Sequence, residues 1–160
     1  NVISVPVPQG SLLVKPEGRG NSFSLLVREK GKSQLLNQQR SGESVRYVVG
    51  VYEVETLTLP RRIFEVSMEP EKIKTISLPQ PGLVNLNTIS SGYGSLFEIL
   101  DTGESKFVCN LSEGTSLHSY NLLPGSYKVA FRVKKAGGSK YTAIRTFQVE
   151  SGKTLNLSMF

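Results

Sequence analysis

One short pattern occurs twice in this chain, and it constrains the fold more than any other feature. Gly50-Val51-Tyr52-Glu53-Val54 returns as Gly125-Ser126-Tyr127-Lys128-Val129. Gly10-Ser11-Leu12-Leu13-Val14 has a counterpart in Gly82-Leu83-Val84-Asn85-Leu86, and Phe64-Glu65-Val66 has one in Phe147-Gln148-Val149. The three offsets are 72, 75 and 83 positions, so the copies differ in loop length. A repeat this long is a whole small domain used twice, not a solenoid unit. It predicts two domains, 1–79 and 80–160, each of roughly 80 residues with a thin core.

Within each copy the apolar residues alternate with polar ones, the signature of half-buried strands. Tyr127, Val129, Phe131 and Val133 take one face of a strand while Lys128, Arg132 and Lys134 take the other. Phe147 and Val149, then Leu155, Leu157 and Met159, repeat the pattern, and earlier runs lie at Val84-Leu86, Phe97-Ile99, Phe107-Cys109-Leu111 and Leu117–Leu122. About seven short strands in roughly 80 residues, separated by turn signals, predict a two-sheet sandwich. Pro124-Gly125, Ala136-Gly137-Gly138-Ser139 and Ser151-Gly152-Lys153 supply those turns.

The first copy reads as strands at Leu12-Val14, Ser22–Glu29, Val45–Val49, Val51–Leu59, Ile63–Met68 and Ile73–Leu78. Tyr52 and Val54 share one phase but Leu57 and Leu59 occupy the other, which predicts a bulge near Glu55-Thr56. Ser33–Arg40 is the one segment that could be a short helix; strand and loop remain equally open there. Between the copies, Leu78-Pro79-Gln80-Pro81-Gly82 is stiffened by its prolines, so the sandwiches are expected end to end at a fairly fixed angle.

The remaining composition chiefly excludes. No apolar run approaches the roughly 18 residues that span a bilayer, and no signal peptide is legible in a chain that begins at Asn1. The net charge of +6 divides evenly, with 11 Lys/Arg against 8 Asp/Glu in residues 1–79 and 8 against 5 in residues 80–160. Neither half has the dense basic run with interleaved aromatics that marks nucleic-acid binding. Cys109 is the lone cysteine, so no intrachain disulfide forms. Its alternation with Phe107 and Leu111 predicts a small buried hydrophobe.

Leu123-Pro124-Gly125-Ser126-Tyr127-Lys128-Val129 resembles the L-x-P-G-x-Y-x-V element of carboxypeptidase regulatory-like and prealbumin-like β-sandwich modules. Phe107–Leu111, Leu122–Arg132, Tyr141-Thr142 and Phe147–Gly152, with Leu57–Pro60 and Ile76–Gly82 of the first copy, resemble the C-terminal region of von Willebrand factor A-domain proteins of Bacteroidetes. The resemblance covers nearly the whole chain. It implies a non-catalytic envelope module that follows an A-type domain. The Asp-x-Ser-x-Ser metal motif of such domains does not occur here, so no metal ligands carry over.

Chemistry finds little purchase. His118 is the only histidine, and no spacing ties it to Asp101 and a serine; no Gly-x-Ser-x-Gly elbow is present. His118 is expected as a polar residue at a strand edge. One His and one Cys cannot make a structural zinc site, and no Asp-x-Asp-x-Asp-Gly calcium loop occurs. Collagen-adhesin-type sandwiches can carry a Lys–Asn isopeptide bond. Here Asn156 has the solvent phase, and the matching first-strand positions Asn85 and Asn87 are not lysine.

Two surfaces are candidates for recognition. The hairpin Arg132–Tyr141 gathers Arg132, Lys134, Lys135, Lys140 and Tyr141, which suits an acidic protein, a polyanionic glycan or an anionic membrane surface. Its lysines equally serve to block edge-to-edge aggregation. Tyr93, in Ser90-Ser91-Gly92-Tyr93-Gly94, reads as a loop aromatic that either packs over its own sandwich or stacks on a ligand.

The reading is an all-β protein of two tandem immunoglobulin-like or prealbumin-like β-sandwiches. It is expected to be a non-enzymatic structural and protein-interaction module without a cofactor, at the periplasmic or outer surface of a bacterium. Its partner would be another protein or a neighbouring domain of the same polypeptide. The alternative is a carbohydrate-binding module, which predicts two or three exposed coplanar aromatics.

Overall fold

The computed structural model describes residues 6–134 and 142–160. Two compact units meet at the Leu78/Pro79 boundary, and every regular element among the described residues is a strand. The first unit holds β1 (Gln9–Pro16), β2 (Ser24–Glu29), β3 (Asn37–Arg40), β4 (Ser44–Val48), β5 (Gly50–Thr56), β6 (Arg62–Met68) and β7 (Ile73–Leu78). The second holds β8 (Gly82–Asn87), β9 (Gly92–Ile99), β10 (Ser105–Asn110), β11 (Leu117–Leu122), β12 (Gly125–Val133), β13 (Thr142–Val149) and β14 (Thr154–Ser158).

The first unit stacks a three-stranded sheet, β4-β1-β7, on a four-stranded one, β3-β2-β5-β6; the second uses β11-β8-β14 and β10-β9-β12-β13. The order is the same in both, strand for strand. In each unit the first and last strands pair in parallel, β1 with β7 and β8 with β14, and all other pairs are antiparallel.

The alternation read from the sequence places the cores. Leu12, Val14, Leu25, Val27, Tyr52, Val54, Val66 and Met68 fill the first unit. Val84, Leu86, Leu96, Leu122, Tyr127, Val129, Phe131 and Met159 fill the second. Each such side chain withdrawn from water contributes roughly 1.5–3 kcal/mol.

Shared devices explain the repeated residues. The Tyr52 hydroxyl donates to the Val48 carbonyl and the Tyr127 hydroxyl to the Leu123 carbonyl, four residues upstream in both cases, at 2.5 Å. This tyrosine tie holds the entry to β5 and β12. Gly10 and Gly82 are fixed by close approach: a Cβ would lie 2.4 Å from the Glu69 carbonyl oxygen at the first and 2.5 Å from the Glu150 oxygen at the second. The turn each glycine abuts is also shared. Ser11 and Leu83 donate backbone N–H bonds of 2.9 Å to the Lys72 and Lys153 carbonyls. The position before each lysine has positive φ, 57° at Glu71 and 70° at Gly152.

Two expectations are corrected, and one segment left open is assigned. No bulge forms near Glu55-Thr56: β5 keeps register with β2 and β6 through Thr56. The apparent change of phase is the strand ending, because Leu57 and Leu59 belong to a loop that contains a cis Leu59–Pro60 peptide. Ser33–Arg40 resolves as loop followed by the four-residue strand β3. Cys109 is half-buried, not a core residue. A register shift between Phe107 and Cys109 turns Phe107 out to solvent and leaves Leu111 as the buried residue.

Candidate functional site

The outer face of the four-stranded sheet β10-β9-β12-β13 differs from an ordinary solvated surface. Tyr127, Val129 and Phe131 point into the core, so Lys128, Ala130 and Arg132 point out. Across β9 the register sets Tyr93 opposite Arg132, Ser95 opposite Ala130 and Phe97 opposite Lys128. β10 adds Phe107 beside Phe97, and β13 adds Ile144 beside Ala130. Phe107 is 55% exposed, Ile144 62% and Tyr93 48%.

Cations cap the aromatics on this face. The Lys128 ammonium lies 5.2 Å from the Phe97 ring centroid and that of Lys134 lies 6.0 Å from Tyr93, within the range of a cation–π attraction. Phe97 meets Phe107 edge to face, with centroids 6.1 Å apart and planes at 75°. A depression of about 280 Å³ runs along Tyr93, Ser95, Phe97, Ala130 and Arg132.

Tyr93 is therefore a strand residue, not a loop residue. Its flanking glycines are required beneath it: a Cβ at Gly92 would lie 2.6 Å from the Phe131 ring, and one at Gly94 would lie 2.7 Å from Leu111. The ring and the leucine fill the space that side chains would need. Arg132 and Lys134 fall on the same side as Tyr93, at the far end of β12. Lys135, Lys140 and Tyr141, together with the Ala136–Ser139 turn, lie outside the described residues. Phe97 and Phe107 went unnoticed as surface residues because each alternates with apolar neighbours and so mimics a core phase.

The corresponding face of the first unit is built otherwise. There β2, β5 and β6 set Arg28 beside Glu53 and Glu53 beside Glu65, where the second unit has Phe97, Lys128 and Thr146. Arg28 reaches Glu55 at 3.1 Å, Arg61 reaches Glu55 at 3.2 Å and Lys30 reaches Glu65 at 3.0 Å. Burial pushes the Glu55 carboxyl up, but the hydrogen bonds from Arg28 and Arg61 outweigh it and hold the group below the usual carboxylate range. The charges of this face pair with one another, and Ile63 and Val51 are exposed beside them.

A larger depression, about 460 Å³, lies on the three-stranded sheet of the second unit among Asn85, Asn87, Leu117, Ser119, Asn156 and Ser158. Its polar groups engage one another: Ser119 donates to Asn85 at 2.7 Å, Asn85 to Asn156 at 3.0 Å, and the Ile89 N–H to Asn87 at 2.9 Å. Asn156 faces outward in this ladder.

The edge-strand expectation for His118 holds. The residue lies on an outer strand of that sheet but points inward and is only 6% exposed. Its ring stacks near Tyr120, at 6.5 Å between centroids, and its Nε2 has no hydrogen-bond partner among the described residues. Burial lowers its pKa, partly offset by a hydrogen bond to the Thr115 backbone. The Cys109 thiol is pushed up by burial, which disfavours the reactive thiolate. Among the described residues no group of three or more His, Cys, Asp or Glu side chains is placed to hold a metal ion. Nor is any described helix long and apolar enough to cross a membrane.

No known family's profile matches the chain, and no curated protein does. Several solved structures are similar at a distance, among them the following two. One is the Bacillus anthracis TIE protein, at 11% identity and a TM-score of 0.37, with 95% of this chain and 33% of that one covered. The chain thus spans about a third of that protein's length. The other is GBS52, the minor pilin of Streptococcus agalactiae, at 12% identity and a TM-score of 0.42, with 94% of each chain covered.

Proposed function

We propose that this chain is a non-catalytic structural and protein-interaction module, a duplicated β-sandwich that forms part of a larger bacterial envelope or surface protein and binds a protein or a neighbouring domain. The observation that carries the reading is the contrast between the two outer faces. One frame occurs twice with the same strand order and the same tyrosine tie. In one copy the charges of the outer face pair with one another, whereas the other exposes aromatics and cations. Exposed apolar clusters of this kind are characteristic of contact surfaces. The sequence resemblance to regions that follow von Willebrand A-type domains supports the envelope setting and an A-type neighbour as partner.

Carbohydrate binding is the second reading, favoured by two exposed aromatics, Tyr93 and Phe107, and the half-buried Phe97 on one sheet. Against it, Phe97 and Phe107 stand at 75° to each other and offer no flat platform for a sugar ring. Titration calorimetry of the chain against the remainder of its parent polypeptide and against a polysaccharide panel separates the readings. Saturable heat with the polypeptide supports the module. Saturable glycan binding that Tyr93→Ala abolishes overturns it.

A further inference from the structure

The cations on the aromatic face have a spacing and a setting that specify a ligand. Lys128 and Arg132 are outward residues four apart on β12, which places them about 14 Å apart at roughly 3.4 Å per residue. Lys134 continues the line just past the strand. Tyr93 and Phe97, directly across on β9, share the same four-residue spacing. An extended polypeptide has the rise of the strand beneath it, and its side chains four apart match.

The charge balance of the face is also one-sided. The outward positions of β9, β10, β12 and β13 comprise serines, threonines, an asparagine, a glutamine, aliphatics, aromatics, Lys128 and Arg132, without one carboxylate. At the equivalent positions the first unit has Glu53, Glu55 and Glu65, where the second has Lys128, Ala130 and Thr146. The strand order and tyrosine tie are the same in both units, whereas these acids are absent from the second. Removing the acids leaves a face complementary to an anion, and Phe107, Ile144 and Tyr93 add apolar contact alongside it.

We infer that this face binds an extended acidic segment of a protein partner. The segment lies along β12, its carboxylates over Lys128 and Lys134 and its apolar side chains against Tyr93, Phe97 and Phe107. The inference rests on the interaction-module reading and adds the location and the chemistry of the partner. A glycan has no reason to share the four-residue strand spacing, and neutral sugar hydroxyls would meet a face without carboxylate acceptors.

The probe is a peptide of about a dozen residues alternating Glu with Val and Tyr, matched to the rise of an extended chain. It is titrated into the whole protein beside a Lys-for-Glu version and a sulfated oligosaccharide. The expected result is saturable binding of the acidic peptide alone, weakening as salt rises. Lys128→Glu and Lys134→Glu, each verified as folded by circular dichroism, reduce affinity by about tenfold or more; Lys30→Glu, on the equivalent sheet of the first unit, leaves it unchanged. Three results overturn the inference: no saturable binding, equal binding of the Lys peptide, or tighter binding of the oligosaccharide with the same sensitivity to substitution. If the remainder of the parent polypeptide binds but ignores Lys128→Glu and Lys134→Glu, the module reading stands and this face is not its contact.

Discussion

Removing one oxygen atom at each of the two tyrosine ties should reveal how differently they are buried. Tyr127→Phe deletes a hydroxyl whose residue is fully buried and whose acceptor belongs to Leu123, 3% exposed. The loss combines a net hydrogen bond of about 0.5–1.5 kcal/mol with the cost of a carbonyl that water cannot reach, about 1–3 kcal/mol. A destabilisation of about 1.5–4.5 kcal/mol follows. Tyr52→Phe deletes the same bond, but its acceptor belongs to Val48, 49% exposed. Water can replace the donor there, so only about 0.5–1.5 kcal/mol should be lost. Native-state hydrogen exchange at the Val129 and Val54 amides, on the central strands of the two units, reads each effect separately in the intact chain. The gap between the variants should be about 1 kcal/mol or more. Equal losses, or a Tyr127→Phe effect below about 0.5 kcal/mol, would refute the claim that burial of the acceptor sets the cost.

Three further outcomes are expected. Glu71 sits at φ 57° where the second unit has Gly152, so Glu71→Gly should relieve left-handed strain and raise stability by about 0.5–1 kcal/mol in urea denaturation; its exposed 3.7 Å pair with Arg46 offers little in return. Gly82→Ala forces a Cβ to 2.5 Å from the Glu150 oxygen and 2.6 Å from Val149, and should cost about 1–3 kcal/mol or more by the same measurement. His118 is held below its ordinary pKa by burial, so the unfolded chain takes up the proton first. Stability should be complete above about pH 6.5 and fall as pH drops through that value; thermal melts from about pH 7.5 to about pH 6 should show this slope, and His118→Leu should remove it.

The strand framework was legible because a sandwich core is written in period-2 alternation, and the repeated tyrosines, with Gly10 and Gly82, proved to have a local physical cause. Where the reading failed, the missing information was three-dimensional. Phe107, Cys109 and Leu111 alternate on paper, but a slipped register inserts an extra residue and reverses which of them is buried. Leu57 and Leu59 suggested a bulge because the end of a strand and a change of phase look alike in one dimension. Gly92-Tyr93-Gly94 suggested a loop because nothing local announces that Phe131 and Leu111 occupy the space beneath both glycines. The candidate surface was half legible: Tyr93, Arg132 and Lys134 were identified, whereas Phe97 and Phe107 were not, since facing strands decide which side of an apolar run is covered.

The most direct test of the account is a map of amide chemical-shift changes as the labelled chain is titrated with the acidic peptide. The account predicts changes along Tyr93–Phe97 and Lys128–Lys134, with β2 and β5 of the first unit silent. Changes confined to the Asn85–Ser119–Asn156 face or to the first unit, or saturable binding that leaves β9 and β12 unmoved, would contradict it.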